Sequence, residues 1–352
     1  MSRAFPRPML AWRGLMCLAS LFCVPALALA QTSINSGAAG ESDGSSVFSL
    51  QQSMPTSPSL AGRYLQEDEG GAGEAFSDPQ ILWPGFLYGM SGFEKMPLPV
   101  SQPFYFEDPF IRTDFRFIYL YHDIPKGSTL RGGHIQTFAL QIRLALTERL
   151  AFIATKDGYS QLRVKVLPHD DGWNDFAIGL KYAIAYDVQP EEEWIFSGGM
   201  RWEWDGGDDN VLQGDSQELS PFLSYAHRWD KFNYMAGLTW RIPMDHHDAV
   251  HSVLWDMHFS YEVWENFYPL VEFHGLHYLS NADRLPFDVD ALDYGNIGSS
   301  HVAGNSVYWA GVGFRWHVMP HVSAGVTYEF PLMNPDRDIF EERVTVNISF
   351  GV

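Results

Sequence analysis

Two pairs of residues have the spacing of a hydroxyl nucleophile and its base. In "HFS", His258 precedes Ser260 by two residues, and "HVS" has His321 and Ser323 at the same spacing. A histidine beside a serine can accept the hydroxyl proton while the oxygen attacks an electrophilic centre. Neither pair has a flanking motif, and the serine of "GDSQ" (214–217) is isolated in a loop, so we predict no catalytic residue and no enzyme.

A second group of residues has side chains that bind metals. "DHHDAVH" (245–251) combines imidazoles and carboxylates, but no helix or strand fixes their spacing, so we favour a solvated acidic loop over a metal site. Cys17 and Cys23 are the only cysteines, and both precede the mature chain predicted below. No Gly-rich phosphate loop joins a strand to a helix. We expect no cofactor.

The elements that carry the remaining polar residues are strands. In "DGWNDFAIGLKYAIAYD" (171–187), bulky apolar residues occupy every second position from Phe176 to Tyr186, while Lys181 and small residues lie between them. Side chains alternate across a strand, so this segment has one apolar face and one small or charged face. About twelve such segments follow one another from "TDFRFIYLYH" to "ERVTVNISFGV".

The loops between these strands alternate in length. The connections after even-numbered strands are short, as in "TER", "WDK" and "MPH", whereas odd-numbered strands lead into longer loops such as 158–174, 205–217 and 279–305. This alternation is typical of an up-and-down outer-membrane barrel, with short periplasmic turns and long external loops. A Greek-key sandwich gives no reason for it.

The second face of the strands carries charges of both signs. In this register the lumen-lining residues are Arg116, Arg143, Lys181, Arg201, Glu203, Arg241, Asp256, His258, Glu262, Glu272, His274, Arg315, His317, Glu329 and Arg343. Such a set can line a selective path for a small solute, or it can fill and rigidify a narrow barrel. The sequence leaves both alternatives open.

The apolar faces could touch lipid or fill a soluble, lipocalin-like interior. Trp202, Trp240 and Trp316 fall on apolar faces near strand ends, where an interfacial girdle would lie. Twelve faces of Phe, Tyr, Leu and Trp would also overfill the interior of a small barrel. These observations favour apolar faces in lipid.

The run "DDGWNDFAIGLKYAI" resembles the Gly-Asp-(x)-Gly-x-Lys-Tyr segment of outer-membrane proteins grouped with the meta-pathway phenol-degradation family. "LTERLAFIATKDGY", "LSPFLSYAHRWDKFNYMAGLTWRIP" and "FEERVTVNISFGV" are similar to further parts of that pattern, over roughly residues 108–352. The resemblance implies an exported barrel of a transporter family, and an apolar or aromatic solute.

The chain before the strands has three parts. Residues 1–30 have a charged start, an apolar run and "ALA", which predicts a cleaved signal peptide. Residues 31–80 have the composition of a disordered linker. Residues 81–110 are rich in proline and aromatic residues, and we expect them to lie in the lumen or across the periplasmic mouth.

Together these features predict an all-β protein, a transmembrane up-and-down antiparallel β-barrel of about 12 strands over residues 111–352. We expect it in a Gram-negative-type outer membrane, as a channel or transporter for a small solute through a charge-lined lumen. The alternative is a structural or adhesive barrel with a closed lumen and partner-binding external loops. Its partners would be outer-membrane lipid, the solute and the assembly machinery, and its net charge of −20 argues against nucleic acid.

Overall fold

The computed structural model describes residues 84–213 and 216–352 and contains fourteen strand segments. They are β1 Asp114–Ile124, β2 Gly133–Ala145, β3 Leu150–Ala154, β4 Gly158–Val164, β5 Asp170–Trp173, β6 Phe176–Val188, β7 Glu192–Trp204, β8 Glu218–Trp229, β9 Phe232–Pro243, β10 Ser252–Tyr261, β11 Phe267–Tyr278, β12 Ser306–Met319, β13 Val322–Pro331 and β14 Glu342–Gly351. The predicted signal peptide and linker lie outside the described residues, as do positions 81–83 and 214–215.

The strands close into a barrel. Each segment pairs antiparallel with its neighbours, and β1 pairs with both β14 and β2, so the sheet has no free edge at this seam. Segments β3 and β4 both pair with β2 and form one strand that is interrupted at 155–157, and β5 and β6 form another interrupted at 174–175. The predicted twelve-stranded antiparallel barrel is therefore confirmed.

The apolar face of each strand lies on the outside of the barrel. In β6, Leu180 is 51% exposed whereas the next residue, Lys181, is fully buried. Trp202, Trp240 and Trp316 are also exposed on the outer face. An apolar outer surface with a polar interior is the arrangement of a barrel in lipid, and a soluble barrel with apolar faces in its lumen does not describe this chain. In the part of the chain that the structure describes, no helix is long and apolar enough to span a membrane.

The connections differ in length between the two ends of the barrel. At the end that we call the turn end, they are 146–149, 189–191, 230–231, 262–266 and 320–321. At the opposite, loop end they are 125–132, 165–169, 205–217, 244–251, 279–305 and 332–341. The alternation that the sequence predicts is present, and β1 begins at the turn end.

One predicted loop is wrong. Segment 158–174 contains β4 and β5, which form a hairpin with a connection of only 165–169. Gln161 and Arg163 lie on the outer face of this hairpin, and Arg163 forms an ion pair with Asp171 at 2.5 Å. Because the hairpin has charged and amide side chains on its outer face, it lacks the apolar stripe that identified the other strands.

A segment that precedes β1 runs through the interior of the barrel. Residues 93–111, which we call the inner segment, are buried except at 94 and 95, and no regular helix or strand forms within them. Side chains from β2, β6, β7, β8, β9, β11 and β12 donate to or accept from its backbone. A segment contacted from so many strands around the circumference lies within the lumen.

Candidate functional site: the barrel lumen

Most of the charged residues selected from the sequence are buried inside the barrel. Thirteen of the fifteen are at most 5% exposed, namely Arg116, Arg143, Lys181, Arg201, Glu203, Arg241, Asp256, His258, Glu272, His274, Arg315, Glu329 and Arg343. Glu262 lies in the turn after β10 and accepts from the backbone N–H of Asn266. His317 is half-buried near a register shift at the end of β12, against Tyr268. Glu262 and His317 both lie where the alternation of inward and outward side chains along a strand ends.

The turn-end half of the lumen contains a cluster of ion pairs between barrel and inner segment. Glu107 of the inner segment contacts Arg143 Nη2 at 2.6 Å and Lys181 Nζ at 2.7 Å. Asp108 contacts Arg116 Nη2 at 2.6 Å. The barrel therefore supplies the three cations, and the inner segment supplies two carboxylates in addition to Asp114 of β1, which also contacts Arg116, at 2.7 Å. Each charge named in this cluster has an opposite charge within hydrogen-bond distance, which offsets the cost of its burial.

Inward side chains also bind the backbone of the inner segment. Arg315 donates to the carbonyl of Leu98 at 3.2 Å and to that of Pro99 at 2.7 Å. Gln141 donates to the Pro103 carbonyl at 2.7 Å. A proline-rich segment without secondary structure leaves its carbonyls without ladder partners, and buried carbonyls need donors. Side chains of the barrel therefore supply the hydrogen-bond donors that the backbone of a neighbouring strand would otherwise supply.

The His–Ser pair of β10 belongs to a longer buried network. His258 Nε2 is 3.0 Å from Ser260 Oγ, and His258 Nδ1 is 2.7 Å from Glu272 Oε1. Glu272 also accepts from the backbone N–H groups of Val100 and Ser101, at 3.0 and 2.7 Å.

This network resembles a nucleophile, base and acid, but Ser260 is only 4% exposed. The backbone donors that could stabilise an oxyanion already bind the Glu272 carboxylate. The second pair has a different structure, because Ser323 accepts from Arg315 and His321 lies in the turn 320–321. Neither arrangement supports acyl transfer.

The loop-end half of the lumen is filled by loop 279–305, which we call the outer loop. Asp290 accepts from the backbone N–H groups of Ala291, Ile297 and Ser299, so it fixes a compact turn. Asp293 receives two hydrogen bonds of 2.8 Å from Arg343 Nη1. These contacts hold the middle of the outer loop against inward-facing strand residues.

Two carboxyl groups of the outer loop have shifted pKa values. Burial works to raise the pKa of Asp293, but the adjacent Arg343 outweighs it and holds that pKa below its usual range. Burial raises the pKa of Asp290, although three backbone N–H groups oppose the shift. The ionised Asp293 is therefore matched to a fixed cation, whereas Asp290 is not.

Apolar side chains fill the space around the outer loop. Leu292, Tyr294 and Ile297 of the loop pack in one cluster with inward-facing residues of the strands, among them Leu254 and Trp309. Period-two alternation did not predict this cluster, because it assigns polar residues to the inward face of every strand. The signal was present in β1, where Ile118, Leu120 and Ile124 share a face with Arg116.

The histidine-rich loop 244–251 remains at the surface of the loop end. His246 Nδ1 and His251 Nε2 are 3.0 Å apart, and His247 Nδ1 contacts Asp283 at 2.6 Å, where both side chains are largely exposed. Among residues 84–213 and 216–352, no group of three or more His, Cys, Asp or Glu side chains is arranged to hold a metal ion.

The architecture is that of a closed twelve-stranded outer-membrane barrel, with the lumen occupied by the chain itself. No family model and no curated protein matches the chain. An outer membrane channel from Pseudomonas putida F1 is similar in structure, with 10% identity and a TM-score of 0.51, over 72% of this chain and all of that one. The NanC porin (12% identity, TM-score 0.40, 68% of this chain and 100% of that one) and the KdgM porin (9%, 0.39, 67% and 99%) also match. At these identities the similarity shows the fold.

Proposed function

We propose that this protein is an outer-membrane channel for a small solute whose lumen is closed by two movable parts of its own chain, the inner segment and the outer loop. One observation carries the proposal. The lumen is filled by segments that lie outside the barrel strands, and each of them can leave without breaking a strand-to-strand hydrogen bond. A barrel that served only as a scaffold could fill its lumen with strand side chains.

The proposed solute is apolar or aromatic. Removing the outer loop would expose the apolar cluster around Leu254 and Trp309, and an apolar solute would restore the lost burial there. Deeper in the lumen, Arg143, Lys181 and Arg315 bind the inner segment and would contact the solute only after that segment moves. The polar stretch would then act as the selective part of the path.

We also propose membership of the meta-pathway phenol-degradation family, export through a cleaved signal peptide, and insertion by the outer-membrane assembly machinery. The strand-and-turn motifs described above support the family, and the composition of residues 1–30 supports the export. We propose that the turn end faces the periplasm, because outer-membrane barrels have their short connections on that side.

The test is single-channel recording in planar bilayers. Deleting residues 84–111 should convert a rarely conducting protein into one with discrete, frequent steps, because it removes the inner segment and leaves all strands. Deleting residues 31–80 instead is the matched control and should leave the recordings unchanged. A silent barrel after removal of 84–111, shown to be folded by its heat-sensitive gel mobility, would overturn the channel and favour a structural or adhesive barrel.

A further inference from the structure

One buried chain of hydrogen bonds connects the inner segment to β10 and β11. It runs from Ser260 through His258 to Glu272, on to the hydroxyl of Ser101 in the inner segment, and from there to His274 and Asp256. Ser101 Oγ contacts Glu272 Oε2 and lies 2.7 Å from His274 Nε2, and His274 Nδ1 lies 2.7 Å from Asp256 Oδ1. All six side chains are at most 4% exposed.

The protons in this chain can be counted. It contains five side-chain hydrogen bonds, each of which needs one proton. Two serine hydroxyls and two neutral imidazoles supply four protons, and two ionised carboxylates supply none. One proton more than the ordinary states provide is therefore required, whichever of the groups carries it. The count does not depend on the choice of tautomer.

The extra proton belongs to the docked inner segment. Without Ser101, the chain separates into Ser260–His258–Glu272, with two bonds and two protons, and His274–Asp256, with one bond and one proton. Both parts are then complete in their ordinary states. We propose that docking of the inner segment is coupled to the uptake of one proton by the Glu272–Ser101–His274–Asp256 array, so that raising the pH releases the segment.

A glycine and two aromatic rings pack against the array, and the charged groups near it have partners of their own. Gly237 of β9 lies opposite Asp256, and the Trp309 ring of β12 stacks on His274 at 5.1 Å. The Phe106 ring of the inner segment meets His274 edge-on at 6.1 Å. The charged groups that face the array are Arg315 of β12, Glu329 of β13, Arg343 of β14 and Asp293 of the outer loop. Arg343 binds both Glu329 and Asp293, and Glu329 also accepts from Thr345 Oγ1 and Trp309 Nε1, so both carboxylates have hydrogen-bond donors outside the array.

The coupling predicts how steeply the undocked fraction of the inner segment changes with pH. If docking takes up one proton, the undocked fraction increases by up to about tenfold for each pH unit. Asp256→Asn gives the decisive variant, because an asparagine can donate to His274 Nδ1 as a protonated carboxyl would, and this amide does not titrate. The inner segment of that variant should stay docked at every pH.

Thiol labelling of the folded barrel measures undocking. Met96→Cys places a cysteine at a fully buried position of the inner segment, with Cys17 and Cys23 replaced by serine. Its labelling by a water-soluble maleimide is divided, at each pH, by that of Met333→Cys, which is 38% exposed in loop 332–341. This ratio cancels the reactivity of the thiolate itself.

The expected result is a ratio that rises with pH between about 6 and 9 in the otherwise native chain and stays low and constant in Asp256→Asn. A native ratio that is independent of pH, or an Asp256→Asn ratio that rises in parallel, would overturn the coupling. If Asp256→Asn fails to fold, Ser101→Ala replaces it and should give a ratio that does not change with pH, because without this hydroxyl the array needs no additional proton. The inference rests on the proposed function because it needs a movable inner segment. If Asp256→Asn contradicts the coupling, the proposed channel still stands, because it is tested separately by the conductance of the 84–111 deletion.

Discussion

Single charged residues in the lumen matter through the partners they would leave behind. Arg143 is 1% exposed, and it binds Glu107, which is equally buried. Arg143→Met should destabilise the barrel by about 3–5 kcal/mol, because it leaves the buried Glu107 and Asp108 with Lys181 and Arg116 as their remaining ion-pair partners. Equilibrium urea unfolding in phospholipid vesicles measures this change.

The control for that substitution is Arg131→Met. Arg131 is exposed in loop 125–132, and its replacement should change the free energy of unfolding by less than about 0.5 kcal/mol. Equal effects of the two substitutions would mean that the buried pair contributes no more than a surface charge.

At the residue level, the sequence predicted the direction of side chains but not their partners. Period-two alternation gave the inward face for Arg143, Lys181 and Arg315. It could not show that Arg315 binds carbonyls of the inner segment, because those carbonyls come from residues more than 200 positions away and without periodicity. Contacts of this kind depend on where an irregular segment is placed.

Among the elements, the outer loop depends on one buried ion pair. Asp293→Asn removes the charge that Arg343 binds. We expect the free energy that favours the closed outer loop to decrease by about 1.4 kcal/mol, which corresponds to a tenfold larger open fraction. A protease added outside vesicles should therefore cleave the outer loop at least about tenfold faster. Asp283→Asn is the matched control, since Asp283 lies in the same loop and pairs with an exposed His247. Equal cleavage of both variants and the unaltered chain would contradict this role of Arg343.

The same ion pair predicts a pH dependence of the outer loop. The pKa of Asp293 is lower in the closed loop than in an open, hydrated one, so its stabilising effect is complete at neutral pH. This stabilisation is lost as the pH falls below the ordinary aspartate pKa of about 3.9 and then through the lowered pKa of Asp293 in the closed loop. Labelling of Ala291→Cys, relative to Met333→Cys, should therefore increase in acid.

Burial raises the pKa of Asp290, so protonation of Asp290 in acid favours the closed loop, whereas protonation of Asp293 opposes it. Asp293→Asn separates the effects of the two carboxyl groups. In that variant the acid-induced increase should disappear. Its persistence would assign the pH dependence to another group.

The elements themselves were predictable to different degrees. Strands whose outer face is apolar, such as β6, were identified because lipid requires that face. The hairpin of β4 and β5 was missed because Gln161 and Arg163 point outward from it. The filling of the loop-end lumen by the outer loop was not predictable either, since its apolar residues are spread over a sequence without regular spacing.

At the scale of the whole molecule, the medium around the barrel determines the free-energy cost of a charged side chain on the outer face. Leu223, in the middle of β8, is 44% exposed, and Met319, at the last position of β12, is 62% exposed. If hydrocarbon surrounds the barrel, Leu223→Arg should cost about 2–4 kcal/mol and Met319→Arg about 0–1 kcal/mol, because the cost of a charge falls towards the interface. In water, both substitutions would change stability by less than about 0.5 kcal/mol. Urea unfolding of the two variants in phospholipid vesicles measures the difference, and equal, small effects would show that the apolar outer face does not meet lipid.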